Sequence, residues 1–202
     1  MKPFNLKRLA LTSLIGLTTF LAACDVTSTP TEELTAQETF TCRTTVNGTT
    51  KDVVVVPQNA TCTLNNSNVE GNIIVNTGAT LIARGVSVKG SIQSEGHARV
   101  TVVRSTARVS SVNGDIQIKQ GRSATVTDVR LGGSLQVEQN NGRFIFARNI
   151  IGSDLQANAN RGTGLTISRN RIDGNLQCQS NNPAPTGSGN TASSKEDQCA
   201  RL

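Results

Sequence analysis

Val112-Asn-Gly114-Asp-Ile116-Gln-Ile118 and Leu131-Gly-Gly133-Ser-Leu135-Gln-Val137 are two copies of one pattern. An aliphatic residue is followed two positions later by glycine, and then by aliphatics that alternate with glutamine. Outward in both directions the pattern recurs as Val69-Glu-Gly71-Asn-Ile73, Val88-Lys-Gly90-Ser-Ile92 and Ile172-Asp-Gly174-Asn-Leu176. A sixth copy, Ile150-Ile-Gly152-Ser-Asp-Leu155, reads with one extra residue. The leading aliphatics at 69, 88, 112, 131, 150 and 172 are separated by 19, 24, 19, 19 and 22 residues. A repeat of this length, too short to bury its own core, implies stacked coils of a solenoid.

Within each copy the period is two, so the aliphatics flanking the glutamine share a face and the glutamine takes the other. A second strand follows in each coil: Ala79-Thr-Leu81, Val100-Thr-Val102, Ala124-Thr-Val126, Phe144-Ile-Phe146 and Leu165-Thr-Ile167. Clusters such as Gln139-Asn-Asn-Gly142 and Asn158-Ala-Asn160-Arg-Gly162 supply corners. The expected fold is all-β: a single-stranded parallel β-helix (solenoid) of about six coils, with disulfide-closed ends. At a strand spacing of about 4.8 Å such a rod is roughly 25 to 30 Å tall.

Before the repeats, Lys2, Lys7 and Arg8 precede an uncharged apolar stretch, Leu9 to Ala23, the layout of a secretory leader too short to span a bilayer comfortably. Its end, Leu21-Ala-Ala-Cys24, resembles the lipobox of bacterial lipoproteins. That resemblance implies cleavage before Cys24 and its diacylation, giving a membrane anchor of several acyl chains. Asp25, directly after the cysteine, favours inner-membrane retention in some lineages. Residues 1–23 are thus read as leader and 24–40 as a Thr-, Ser-, Pro- and Glu-rich tether with too little apolar surface to fold. Residues 41–63 are read as an N-terminal cap with the first strands, 64–178 as the repeats, and 179–202 as a C-terminal cap.

Apart from Cys24, the cysteines are Cys42, Cys62, Cys178 and Cys199, two close pairs at opposite ends of the mature chain. In an exported protein this suggests two local disulfides, each worth about 3 kcal/mol in the chain-entropy model. Cys178 falls in the inward column of the last repeat, so a bond to Cys199 would fold the Pro- and Gly-rich tail back over the final coil. No metal site is expected: there is no Cys-x-x-Cys, and the only histidine, His97, is far from all four cysteines in sequence.

The repeats and their ending, Gly174-Asn-Leu-Gln-Cys178, Asn182-Pro183 and Cys199, resemble right-handed parallel β-helix proteins, particularly small exported bacterial ones. The resemblance implies architecture and carries no chemistry. Polysaccharide lyases and hydrolases share such folds and need clustered carboxylates or a groove arginine. The candidates are Asp115, Asp128, Asp154 and Asp173, with Arg130, Arg169 and Arg171. Asp115 and Asp154, however, share a column with Asn72, Ser91, Ser134 and Asn175, as expected of a turn or surface ladder. The chain has no Trp and no Tyr for sugar stacking. Repeat lengths of 19 and above also break the hexapeptide register of left-handed acyltransferases, and His97, in Ser94-Glu-Gly-His-Ala98, reads as a solvated loop residue.

Gln93, Gln117, Gln136, Gln156 and Gln177 form an outward amide column, read as a stiffening ladder or as a candidate ligand face. The net charge of +6 overstates the mature chain. Without Lys2, Lys7 and Arg8, its 20 basic residues become 17 against 14 acidic, a net of +3. Between Leu64 and Cys178 there are 13 basic and 7 acidic residues, a bias suited to anionic envelope polymers. Nucleic acid is not expected, because the chain reads as exported and its basic residues are not interleaved with aromatics.

The expectation is therefore a non-enzymatic, cofactor-free protein, lipid-anchored to the bacterial cell membrane. It would act as a structural element or bind a glycan, peptidoglycan or an envelope protein. The alternatives are a polysaccharide-active enzyme and a scaffold resembling bactofilins, which polymerise end to end.

Overall fold

A computed structural model describes residues 37–202. Cys24, the leader and most of the expected tether lie outside these residues. The described residues form a parallel β-solenoid with three sheets and no helix.

Sheet A holds nine strands, from Thr39–Thr41 through Ile73–Val75, Ile92–Glu95, Ile116–Lys119, Leu135–Glu138 and Leu155–Asn158 to Asn175–Gln179 and Ser194–Asp197. Sheet B holds seven, among them Thr61–Asn65, Thr80–Arg84, Arg99–Val103, Ser123–Thr127, Asn141–Ala147 and Arg161–Ser168. Sheet C is also seven-stranded and built of short strands such as Ser87–Val88, Val129–Leu131 and Arg171–Ile172. The chain visits A, B and C in turn, and every strand pairs in parallel with its counterpart one coil away.

About eight turns result rather than six. The segments expected to cap the rod, 41–63 and 179–202, are themselves coils that lack the glycine motif. Strand Thr39–Thr41 pairs with Val53–Val56, taking the last residues of the expected tether, and Ser194–Asp197 pairs with Asn175–Gln179. The tail between them does not fold back across the last coil. It continues the winding through bridges Arg161–Asn182, Thr166–Thr186 and Arg171–Thr191.

Register corrects two further details. Leu131 pairs with Ile151, and Ile151 with Ile172, so the copy that seemed to carry an extra residue has none. Its inward aliphatic is Ile151, Ile150 is exposed, and Ser153 stands where the other copies have glycine. In sheet B, Leu81 and Ala83, not Ala79 and Leu81, align with Val100 and Val102. The two-residue shift preserves the face, which is why alternation alone did not expose it.

The inward columns fill the core. Ile73, Ile92, Ile116, Leu135, Leu155 and Leu176 are fully buried in one column of sheet A. Phe144, in sheet B, neighbours the small Ala124, so bulk in one rung is offset by space in the next. Coils pack closely at the C-to-A corner: a Cβ on Gly133 would lie 2.8 Å from the Gly114 carbonyl oxygen and overlap the Asp115 carboxylate. At Gly133 glycine thus permits the close stacking of successive coils.

Disulfides Cys42–Cys62 and Cys178–Cys199 close near the two ends, with Cα separations of 5.4 and 5.2 Å. Both pairs are fully buried, and Leu202 packs into the core beside the second. At this end the aliphatic alternation stops: Lys195 and Asp197 stand opposite Leu176 and Cys178. A charged last strand blunts the sheet edge against pairing with another chain.

Candidate functional site

The outer face of sheet A carries the expected amide column. Gln93, Gln117, Gln136, Gln156 and Gln177 stand in consecutive register, each between two inward aliphatic or small residues. The parallel in-register pairing forces this, because identical positions of successive repeats stack. Their amides bond along the axis only toward the C-terminal end. Gln156 Nε2 donates to Gln177 Oε1 at 3.1 Å, and Gln177 Nε2 donates to Glu196 Oε2 at 2.9 Å. Gln93 and Gln117 make no such bond, and they line a groove of about 700 Å³ with Ile74, Asn76, Glu95 and Lys119.

The groove has a local cause. Along the column, Val55 and Ile74 precede Gln93, so its N-terminal end is apolar and its other end amide-lined. At the adjacent A-to-B corner, chain segments around Gln58 and Thr77 border the hollow. A second outward column, Glu95, Lys119, Glu138 and Asn158, runs beside the amides, with Lys119 paired to Glu138 at 3.4 Å. The surface is therefore hydrogen-bonding and nearly neutral, with one apolar end. Such a surface could hold a ligand by orientation and shape.

The candidate carboxylates are dispersed. Asp115 Oδ1 accepts the Ser134 backbone N–H at 2.7 Å, and Asp154 Oδ1 accepts that of Asn175 at 2.8 Å. Asn72 and Ser91 do the same for Ser91 and Asp115. Ser134 does so for Asp154, and thus five of the six members of this column, all but Asn175, cap a backbone donor of the next coil, as expected of a ladder. Asp128 is held by Arg148 through bonds of 2.8 and 2.6 Å, and the guanidinium keeps the carboxyl below the usual carboxylate range and its own pKa above the usual one. Asp173 faces Arg171 at 3.5 Å, whereas Arg130 and Arg169 have no carboxylate partner among the described residues. Among the described residues no group of three or more His, Cys, Asp or Glu is placed to hold a metal ion.

His97 departs from its sequence reading. It is fully buried at the A-to-B corner, its ring lying where a Cβ of Gly121 would be. Neither ring nitrogen has a hydrogen-bond partner. Burial pushes its pKa down to about 4, with the Ser123 backbone close enough to oppose this weakly but not in bonding geometry.

The same corner shows what the sequence reading missed. Two buried asparagine ladders run through the C-terminal half of the rod. In one, Asn140 donates to Asn160 and Asn160 to Asn181, both at 2.9 Å, and Asn181 donates to Gln198 at 3.0 Å. In the other, at the B-to-C corner, Asn149 donates to Asn170 at 3.0 Å and Asn170 to Asn190 at 2.9 Å. Asn160 uses its full capacity: Oδ1 accepts from the Asn140 backbone and side chain, and Nδ2 also donates to the Val137 carbonyl. The signal was the recurrence of Asn at 140, 160 and 181 and at 149, 170 and 190. Of these, Asn140 and Asn160 lie in clusters whose local sequence marks only a corner.

No protein family, curated protein or solved structure matches the chain.

Proposed function

We propose that this protein is an exported, lipid-anchored β-solenoid of the bacterial cell envelope that binds an extended polar ligand, a glycan or peptidoglycan strand or a protein segment, without chemically changing it. Cys24 would carry the acyl chains, and residues up to about 38 would hold the rod away from the membrane. The observation that carries the reading is the amide column of sheet A opening into the groove beside Gln93 and Gln117. The amides of these two residues are not engaged with each other, so their donors and acceptors are free for a ligand. The non-catalytic part is supported by the engagement of Asp115 and Asp154 in capping the next coil and of Asp128 with Arg148. Against end-to-end polymerisation stand the charged residues of Ser194–Asp197 on the terminal strand.

The test is co-sedimentation of the detergent-solubilised chain with peptidoglycan and a panel of insoluble glycans, with reducing-end release assayed in the same tubes. Binding without release, weakened by the Gln93→Ala, Gln117→Ala double variant, is expected. Reducing-end release, or binding indifferent to both substitutions, overturns the reading. The anchor is tested separately by mass spectrometry of the amino-terminal peptide, which should begin at an acylated Cys24.

A further inference from the structure

Sheet B presents a surface of different chemistry. Its central outward column is Thr63, Ile82, Thr101, Thr125, Ile145 and Thr166, half-buried residues in consecutive register. On the side nearer sheet A stand Arg99, Arg122, Arg143 and Arg161, and on the side nearer sheet C stand Arg84, Arg104, Arg148 and Arg169. All eight arginines are exposed. Of these eight, only Arg148 has a carboxylate partner, Asp128, which is also the only acid within the five strands from Thr80–Arg84 to Arg161–Ser168 and their flanking corners. The sequence showed a basic rod. The winding of the chain gathers eight of those charges onto one face in two lines.

The dimensions follow from the strands. At about 4.8 Å per rung the line nearer sheet A spans four rungs, roughly 14 Å, and the line nearer sheet C spans five, roughly 19 Å, while the four to seven residues between the lines set them roughly 17 to 26 Å apart along the strands. A hydroxyl-bearing strip thus lies between two cationic rails. Unpaired guanidiniums at this density repel one another, and an anionic chain along the strip relieves that repulsion while gaining bidentate bonds.

We infer that sheet B is a docking surface for a linear anionic polysaccharide, one with repeated carboxylate, sulfate or phosphate groups, lying along the solenoid axis between the two arginine lines. The threonine hydroxyls suit sugar oxygens. Phe144 and Phe146 point into the core, so the face offers no aromatic platform on which nucleic-acid bases could stack. The exposed large hydrophobics among the described residues, Val109 and Ile150, lie off this sheet, so the face has nothing to insert into a bilayer. The inference does not rest on the amide face of sheet A, which is nearly neutral and on another side of the rod.

The test is binding of the detergent-solubilised full chain to polygalacturonate over a salt series, with neutral dextran, a single-stranded oligonucleotide and anionic phosphatidylglycerol vesicles as comparators. Polygalacturonate is expected to bind best and to be released by salt. Arg99→Ser with Arg143→Ser should weaken it about tenfold and flatten the salt dependence, while Arg130→Ser with Arg171→Ser, the same charge removed from sheet C, should change it by less than about twofold. The Gln93→Ala, Gln117→Ala variant should bind polygalacturonate unchanged, which separates failure of this inference from failure of the amide-face reading. Equal loss in the two arginine pairs, absence of binding, or stronger binding to the oligonucleotide or the vesicles overturns it.

Discussion

His97→Leu is expected to abolish most of the loss of stability this protein suffers between pH 7 and pH 4. In the folded chain the buried imidazole stays neutral until about pH 4, against 6.5 for an unperturbed histidine. Well above pH 6.5 both states hold the neutral ring and the group contributes no pH dependence. Below that, the unfolded chain takes up a proton that the folded one refuses, so stability falls with pH throughout the window. At pH 4 the loss amounts to about 3 kcal/mol, a large fraction of a domain's usual margin. Leucine has a similar volume, packs over Gly121 and leaves no ring nitrogen unpartnered. At pH 7 the variant should therefore match or exceed the natural protein, since an unmet buried donor or acceptor costs roughly 1 to 3 kcal/mol. Asp128, whose pKa is lowered by Arg148, contributes stability that is lost as the pH falls through its folded value, and it does so in both proteins. The difference between them isolates His97. Urea titrations of both proteins at pH 7, 6, 5 and 4, with disulfides intact, provide the measurement. Parallel decline of the two would refute the reasoning, as would a variant about 2 kcal/mol less stable at pH 7.

Asn160→Ala should cost about 3 kcal/mol or more in the same titration, because it strands the Val137 carbonyl and both neighbouring asparagines in the core. Gln156→Ala, in the half-exposed column, should cost less than about 1 kcal/mol. Gly133→Ala pushes a methyl group against the Gly114 carbonyl and should lower stability by about 1 to 3 kcal/mol, read as a drop in the thermal midpoint. Replacing Cys178 and Cys199 together by Ala should cost about 3 kcal/mol, with the losses largest in hydrogen exchange of the last two coils.

The failures of the sequence reading have physical causes. Glycine marks the C-to-A corner in most coils but not in all. Ser153 fills that position in one coil, so the search for glycine displaced the register there by one residue. The terminal coils lack the motif altogether, and six copies were counted where about eight turns exist. The short strands of sheet C are two or three residues long, below the length at which alternation can be recognised. The polar, glycine-containing neighbourhood of His97 reads as a solvated loop. A corner residue next to a left-handed Gly96 instead turns its side chain inward, where Gly121 of the next coil leaves room.

The sequence alone determined the parallel solenoid, the outward amide column and the pairing of the four cysteines. Each of these follows from local periodicity or spacing, and in-register stacking converts a repeated position directly into a column. Tertiary structure decided everything that depends on which corner a side chain turns into and which neighbour it meets there. It turned Asn140, Asn160 and Asn181 into a buried ladder and enclosed His97. It also brought arginines that are scattered from position 84 to 169 onto one side of the rod. The physical reason is that a coil's corner sets the rotation of every following residue about the axis, and that rotation is fixed only when neighbouring coils pack.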